Sequence, residues 1–396
     1  MKKNILDLNN YVTITKNNSN IYEPADIVNI CKRRNNLKRD FLFVNSLQGK
    51  HLHVDPCKIF ALYDELVKSI IKSTTQNEKV IVVGFAETAT AIGHYIASSL
   101  SNCIYYMQTT REQIPNATSL LEFKEEHSHA MEQFLYGDIS ELTKCDKIIF
   151  VDDEISTGNT VLNFISEIEK IGIHVKYGVA SLLNWQNDEW SDKFEKLNID
   201  TYFVLRGKLK DLNVKVPISV SDEMHVSPNI MDFPKVLVAR SDISNYSKER
   251  IGSKPYPLSG FSEIVYSTIS STLNDHMPMV GDDVLVLGTE EYMFTPMIFA
   301  KELCDKLHTN VQFHATTRSP IETADRIDYA IRTRYPITSC YDYTRKTYIY
   351  NLRKYDKVYI ITDVIPNSNF IIDISSALVN AGCKIQDIII ITMKGY

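Results

Sequence analysis

Residues 148–160 read Ile-Ile-Phe-Val-Asp-Asp-Glu-Ile-Ser-Thr-Gly-Asn-Thr, and this stretch decides the fold. Its apolar first part, residues 148–151, predicts a buried parallel strand, which delivers the following residues to the carboxyl edge of its sheet. Open α/β sheets bind their ligands at that edge. An acidic cluster follows the apolar run, and a turn of small polar residues then opens an amphipathic helix. The stretch therefore predicts a ligand site where a strand ends and a helix begins.

The acids and the turn have different chemical uses. Residues 156–160 (the phosphate turn) offer hydroxyls and backbone N–H groups at a helix N-terminus, where unpaired donors and the helix dipole stabilise a phosphate. The neighbouring carboxylates of Asp152 and Asp153 would repel a phosphate, so they are expected to face ribose hydroxyls and a bound Mg²⁺. One ligand combines a ribose, a 5′-phosphate and a metal-binding pyrophosphate. The pattern therefore predicts a site for phosphoribosyl pyrophosphate, PRPP.

The stretch resembles the PRPP-binding motif of type I phosphoribosyltransferases, in which a hydrophobic strand leads to paired acids and a Thr-Gly-x-Thr turn. The resemblance implies that Asp152 and Asp153 hold the ribose 2′- and 3′-hydroxyls, act in catalysis and help to bind Mg²⁺. It also implies that Glu154 belongs to the PRPP-binding residues and that the 5′-phosphate is surrounded by Ser156, Thr157, Gly158, Asn159 and Thr160. An ordinary strand, turn and helix with polar turn residues is the alternative.

The same resemblance assigns two further segments to pyrophosphate. Ala86, Glu87 and Thr88 follow an earlier strand and would offer backbone amides, although a plain strand-to-helix turn fits them as well. Arg111 follows a second strand and resembles the pyrophosphate-contacting arginine of orotate phosphoribosyltransferases, because a guanidinium can bind two phosphate oxygens at once. Thr110 stands where that family has a lysine. A surface arginine without a ligand is the alternative for Arg111.

A polar connection between residues 112 and 137 lies where the family has its mobile lid. A lid excludes water from a transition state that resembles an oxocarbenium ion. Lys124 and His127 are candidates for contact with the leaving pyrophosphate, and an inert exposed loop is the alternative. The family also has an N-terminal hood over the acceptor base. Lys50 and His51 are candidate ligand contacts there, or the exposed end of a hairpin.

The chain also contains a degenerate internal repeat. The matching segments are residues 80–87 with 284–291 at an offset of 204, 109–111 with 316–318 at 207, and 146–153 with 356–363 at 210. The pattern predicts an α/β fold with two Rossmann-like domains, each with a parallel sheet and helices on both faces, similar to type I phosphoribosyltransferases. Chance similarity of strand-rich segments is the alternative.

The two halves differ in chemistry. At the offset of 210, Asp152 becomes Thr362 and Asp153 remains as Asp363, while Phe370 stands where the phosphate turn should close. The second half is therefore not expected to bind PRPP in the usual way. A second anion site is a hypothesis for residues at the end of a predicted strand, namely His314, Thr317, Arg318 and Ser319. A purely structural second half is the alternative.

The Thr-Arg-Ser-Pro sequence at 317–320 carries a narrower resemblance. With the segment at 84–89, it is similar to bacterial phosphoribosyltransferases that carry a C-terminal TRSP domain and are encoded among tellurite-resistance and stress genes. The resemblance implies a transferase domain at 1–230 and a TRSP domain at 231–396.

The implied reaction moves phosphoribosyl from PRPP to a nucleobase-like acceptor, or the reverse, in nucleotide-like biosynthesis or salvage. One alternative is a PRPP-sensing regulator without catalysis. Another is a bifunctional enzyme with a second glycosidic activity in its C-terminal half.

Composition limits the remaining classes. Of 396 residues, 44% are hydrophobic and 23% are charged, as in globular proteins. No stretch approaches the ~20 apolar residues of a membrane span, so no membrane contact is expected. Seven cysteines without a C-x-x-C pair predict reduced thiols in a cytoplasmic protein and disfavour a zinc site. The net charge of −6, without a basic block, predicts no nucleic-acid partner. The family resemblance is compatible with a homodimer.

Overall fold

The computed structural model describes residues 6–34, 40–114, 117–124, 132–210, 216, 218, 224, 232–239 and 249–393. The strands in these residues are β1 (Val12–Asn17), β2 (Val28–Lys32), β3 (Phe41–Asn45), β4 (Val80–Gly84), β5 (Cys103–Thr110), β6 (Ser119–Lys124), β7 (Glu132–Tyr136), β8 (Lys147–Ile155), β9 (Lys176–Asn184), β10 (Ile199–Leu209), β11 (Lys235–Ala239), β12 (Asp283–Gly288), β13 (Asn310–Ala315), β14 (Arg334–Thr338), β15 (Lys346–Tyr350), β16 (Lys357–Thr362) and β17 (Ile388–Met393). The α-helices are α1 (Pro24–Ile27), α2 (Pro56–Ile71), α3 (Thr90–Ser99), α4 (Ile139–Leu142), α5 (Asn159–Lys170), α6 (Asp188–Lys196), α7 (Leu258–Leu273), α8 (Phe294–Leu307) and α9 (Ser368–Asn380).

The larger sheet has eight strands in the order β1-β10-β9-β8-β4-β5-β7-β6. Its centre, from β10 to β5, is parallel, and the flanking β1 and β7 pair antiparallel with it. Every residue of β4 is buried, as expected for a central strand covered on both faces. The connection at 112–137 differs from the expected loop, because β6 and β7 form an antiparallel hairpin there. Residues 125–131 of that connection lie outside the described residues.

The smaller sheet has five parallel strands in the order β11-β17-β16-β12-β13. Four of them, β17-β16-β12-β13, repeat the order of β9-β8-β4-β5 when strands are matched by the offsets in the sequence. Two antiparallel pairs, β2 with β3 and β14 with β15, complete the strands of the described residues. The fold is mixed α/β with a large, mainly parallel sheet, which confirms the predicted fold class.

Local contacts recur at the same offsets. The Ala86 N–H donates to Thr109 Oγ1 at 2.8 Å, and the Glu290 N–H donates to Thr316 Oγ1 at 3.0 Å. In each half this bond ties the loop after the first central strand to the end of the next strand. The repeated contact and the shared strand order support the internal repeat, whose common origin stays a prediction.

One apolar core continues from the first half into the second. It joins side chains of the larger sheet, such as Val82, to side chains of the smaller sheet, such as Val286. Between the sheets, His94 on α3 stacks on Phe294 of α8 with ring centroids 4.1 Å apart. The predicted boundary at residue 230 lies outside the described residues. No helix in the described part of the chain is both long enough and apolar enough to cross a membrane.

Candidate active site

Strand β8 carries the predicted acids to the carboxyl edge of the larger sheet. Asp152, Asp153 and Glu154 lie near the end of this strand, and all three are half-buried. The Thr88 hydroxyl donates to Asp153 Oδ1 at 2.6 Å, across 65 residues of sequence. This contact is possible because β4 and β8 are parallel neighbours, so that the segments after them meet at one edge. The segments assigned to ribose and to pyrophosphate therefore lie together.

The phosphate turn has the backbone geometry of an anion site. Gly158 directly precedes α5 with a φ of +78°, and it has no side chain that could cap the helix. A Cβ at this position would lie 2.4 Å from Phe194 Cζ, so both the space and the backbone require glycine. An N-terminus without a side-chain cap is suited to a phosphate. The remaining turn residues are exposed or half-buried, namely Ser156, Thr157, Asn159 and Thr160.

The equivalent helix of the second half is closed by its own sequence. Asn367 caps α9, because its Oδ1 accepts the Phe370 N–H at 2.9 Å, and the Phe370 ring is fully buried. The surviving acid, Asp363, is also buried. It forms an ion pair with Arg250 and accepts a hydrogen bond from the Tyr341 hydroxyl at 2.7 Å. A side chain thus occupies the helix N-terminus and a cation balances the acid, as expected for a half that does not bind PRPP in the usual way.

Glu87, in the loop after β4, is committed to contacts inside the protein. It lies 2.5 Å from Lys50 Nζ and accepts the backbone N–H of Arg318 at 3.2 Å. Burial alone would raise its pKa, but the charges of Lys50 and Arg318 hold the pKa of Glu87 down to about 2. Lys50 is therefore the buried ion-pair partner of Glu87. The sequence had suggested a ligand contact or the exposed end of a hairpin for Lys50, and neither includes a buried ion pair. The Ala86 N–H, a predicted pyrophosphate donor, is already bonded to Thr109.

Arg111 directly follows β5 at the same edge of the sheet and is half-buried. Its backbone N–H donates to Glu291 Oε1 at 3.0 Å, and the Thr110 hydroxyl donates to Glu291 Oε2 at 2.5 Å. Glu291 belongs to the second half and is fully buried. The segment that carries Arg111 is therefore anchored by the other half of the chain. Of the lid candidates, the Lys124 backbone ends β6, whereas its side chain and His127 lie outside the described residues.

The hypothetical second anion site consists of His314, Thr317, Arg318 and Ser319. The Arg318 side chain is almost buried and pairs with Glu290 at 2.6 Å and with Glu112. Burial lowers the pKa of His314 to about 3, so its ring is neutral, and its Nε2 lies 3.0 Å from the Tyr350 carbonyl oxygen. A neutral ring and an arginine among carboxylates do not form a positive pocket. The structure therefore speaks against an anion site at these residues.

Two family models match the chain in succession. A model described as a phosphoribosyl transferase matches residues 27–206, and a model of the TRSP domain that lies C-terminal to this transferase matches residues 249–378. The chain belongs to the phosphoribosyltransferases with a C-terminal TRSP domain. The resemblance drawn from the phosphate turn and the Thr-Arg-Ser-Pro sequence is thus confirmed. None of the curated proteins compared with this transferase matches it.

Three of the solved structures similar to this transferase are phosphoribosyltransferases. The adenine phosphoribosyltransferase of Trypanosoma brucei, in complex with AMP, pyrophosphate and ribose 5-phosphate, is 19% identical, with 44% of this chain and 75% of that chain covered and a TM-score of 0.32. The Giardia lamblia enzyme with 9-deazaadenine is 15% identical, with 45% and 93% covered and a TM-score of 0.32. The orotate phosphoribosyltransferase of Aeropyrum pernix is 13% identical, with 38% and 73% covered and a TM-score of 0.26. The family assignment rests on the two family models.

The donor set of the transferase site suits Mg²⁺. Asp152 and Asp153 supply carboxylate oxygens, and Mg²⁺ is commonly bound by one or two carboxylates together with phosphate oxygens and water. Within the described residues, a group of three potential metal ligands lies elsewhere, at Asp55, Cys57 and Cys304. The two sulfur atoms of that group are 3.7 Å apart. The scattered cysteine positions in the sequence did not indicate that these two residues meet.

Proposed function

We propose that the transferase moves the phosphoribosyl group from PRPP to a nucleobase-like acceptor and releases pyrophosphate in a Mg²⁺-dependent reaction, or runs the reverse reaction. One arrangement supports this proposal most directly. The half-buried acids Asp152 and Asp153 lie beside Thr88 and precede a helix N-terminus that has glycine in place of a capping side chain. The corresponding positions in the second half are closed by Asn367 and Arg250.

The reaction breaks the bond between C1′ and the pyrophosphate oxygen and forms a bond between C1′ and a nitrogen of the acceptor, which loses its proton to solvent. Asp152 and Asp153 would accept hydrogen bonds from the ribose hydroxyls and stabilise the positive charge that develops on the ring. The phosphate turn would hold the 5′-phosphate, and Glu154 would contact PRPP beside Asp153. Catalysis by these groups is positioning and electrostatic stabilisation, without a covalent intermediate on the protein.

The leaving pyrophosphate would be held on the β4 and β5 side of the site. Arg111 would bind its oxygens beside the loop of Ala86, Glu87 and Thr88, in which the Ala86 N–H and the Glu87 carboxylate already have partners within the protein. Lys124 and His127 would approach from the β6/β7 connection. Mg²⁺, held by Asp152 and Asp153 together with the pyrophosphate, would offset the negative charge on the leaving group.

The family resemblance extends the proposal to the pathway. A transferase domain at 1–230 and a TRSP domain at 231–396 would serve a nucleotide-like biosynthetic or salvage pathway linked to tellurite or stress resistance. The acceptor would then be a heterocyclic base with a nucleophilic nitrogen.

The test is to incubate the protein with PRPP, Mg²⁺ and a panel of bases and to measure pyrophosphate. Release is expected only with a matched acceptor. Replacing both acids, Asp152→Asn and Asp153→Asn, is expected to lower turnover about 100-fold, because the charge that stabilises the ribose is lost. Asn367→Ala removes the uncharged helix cap of the equivalent segment in the second half and is expected to retain turnover.

Two outcomes would contradict the proposal. Unchanged turnover in the double variant would show that the reaction takes place at another site. Tight PRPP binding without pyrophosphate release for any base would favour a PRPP sensor over a transferase of nucleobases.

A further inference from the structure

Each half has a glutamate, at equivalent positions of the repeat, that accepts hydrogen bonds from the other half. Glu291 of the second half accepts hydrogen bonds from Thr110 and from the Arg111 N–H at the end of β5. Glu87 of the first half, which matches Glu291 at the offset of 204, accepts the Arg318 N–H at 3.2 Å, just after β13. Each half therefore uses the loop after its first central strand to anchor the segment after the second strand of the other half.

The carboxylates of Glu87 and Glu291 are buried and ionised. Glu291 is fully buried and lies 3.1 Å from Arg250 Nε. Burial would raise the pKa of Glu291, but the charges of Arg250 and Arg318 lower it. A charged acceptor forms shorter and stronger hydrogen bonds than a neutral one, and a buried site excludes competing water. Both contacts are therefore suited to hold backbone segments in fixed positions.

Among the described residues, these contacts lie on the pyrophosphate side of the first-half site. The anchored segments are the loop with Glu87 and the segment with Arg111, which are the two that the proposed function assigns to pyrophosphate. The phosphate turn is supported differently, because the nearest side chains to the Cβ position of Gly158 are Phe194 and Gln186, both from the first half. The second half thus contacts the pyrophosphate side, whereas the 5′-phosphate side is built within the first half.

We propose that the TRSP half is the positioning element for the pyrophosphate side of the transferase site. Glu291 fixes the segment of Thr110 and Arg111, and Arg318 fixes Glu87 and thereby the loop that carries Thr88. This inference rests on the proposed function, since it concerns the same site. It gives the second half a task in the same reaction that requires neither its own anion site nor a second glycosidic activity.

The experiment compares ligands that contain pyrophosphate with one that does not. Calorimetric titrations with PRPP, pyrophosphate and ribose 5-phosphate, each with Mg²⁺, are carried out on the full chain and on Glu291→Gln. The substitution is expected to weaken PRPP and pyrophosphate binding roughly tenfold, the usual effect of losing a hydrogen bond to a charged group. The affinity for ribose 5-phosphate is expected to stay unchanged, because its contacts lie on the other side of the site.

Two further variants separate positioning from general damage. Tyr341→Phe removes the hydroxyl that bonds Asp363 and Thr289, both in the second half, and leaves every charge of the buried network in place, so it is expected to bind all three ligands as the wild type does. Thr110→Val removes the hydroxyl partner of Glu291 without a change of charge and is expected to give the Glu291→Gln pattern. Because Glu291 and Thr110 act through one contact, the double variant should lose less free energy of PRPP binding than the two single variants lose together.

The possible failures are distinguishable. Unchanged PRPP affinity in both Glu291→Gln and Thr110→Val would overturn the inference and leave the proposed function standing. Equal losses for PRPP and ribose 5-phosphate would also overturn it, since they would indicate a structural role alone. A wild-type chain that binds no PRPP would overturn the proposed function and this inference together.

Discussion

Gly158 keeps the phosphate turn open, and its replacement tests that geometry. Gly158→Ala would place a Cβ 2.4 Å from Phe194 in a backbone conformation with positive φ. We expect a loss of about 2 kcal/mol in the free energy of unfolding, from strain and from displacement of the ring. The displaced turn should also bind ribose 5-phosphate more weakly. Chemical denaturation and calorimetric titration measure the two effects. Gly172→Ala is the control for strain alone, since Gly172 has a positive φ and an empty Cβ position far from the turn.

His94 makes the stability of the fold sensitive to acid. Burial lowers its pKa from 6.5 to about 3, so between these values the unfolded chain binds a proton that the folded chain does not. The free energy of unfolding should therefore fall by about 2 kcal/mol from this group between pH 6.5 and pH 5. His94→Phe keeps a ring against Tyr106 and Phe294 and should make the pH profile less steep, while the buried His314 keeps part of the slope. Denaturant unfolding at several pH values checks this, and an unchanged slope would contradict it.

The helices α5 and α9 begin in different ways, and this difference separates a binding element from a structural one. Asn367 caps α9 with its side chain, so Asn367→Ala should cost about 1 kcal/mol of stability and leave PRPP affinity unchanged. The helix α5 has glycine at the corresponding position, and its N-terminus and dipole would stabilise a bound phosphate. Thermal unfolding with and without ribose 5-phosphate measures both effects. A ligand effect that depended on Asn367 would contradict the assignment of the site to α5.

Much of each half could be predicted from the sequence, because strands and helices leave periodic signals. The strand, acids and turn around Asp152 were predicted, and the structure has β8 and the N-terminus of α5 at these residues. The contacts between the halves could not be predicted. The buried pairing of Lys50 with Glu87 and the anchoring of Thr110 depend on which surfaces meet after folding, and no spacing along the chain encodes that.

The hairpin of β6 and β7 was also missed by the sequence analysis. Its residues lie in a polar stretch without a clear alternation of apolar and polar side chains, which is the pattern that predicts a strand. The hairpin is stabilised by the pairing of β7 with β5, a tertiary contact that follows from the position of β5 in the sheet. The sequence of the connection alone therefore favoured a loop.

At the scale of the whole molecule, Cys57 on α2 of the first half lies next to Cys304 on α8 of the second half, although 247 residues separate them in sequence. Their sulfur atoms are 3.7 Å apart, so small side-chain rotations would allow a disulfide. Diamide, which accepts the two hydrogens, is expected to form this single intrachain link. Burial raises the pKa of the Cys57 thiol to about 12, so the reaction should be slow at pH 7 and faster as the pH rises.

Peptide mass mapping under non-reducing conditions identifies the linked cysteines, and Cys304→Ser provides the control. A disulfide between any other pair, or an unmodified chain after prolonged treatment at pH 9, would contradict the packing of α2 against α8.

The apolar core between the two sheets limits how the gene for this transferase can be shortened during evolution. A deletion that removed the second half would leave the aromatic surface around His94 exposed to water, and the shortened protein would tend to aggregate. Natural selection would then act on both halves as one inherited unit. The degenerate half can lose its own chemistry over generations, while its removal from the gene is expected to be rare.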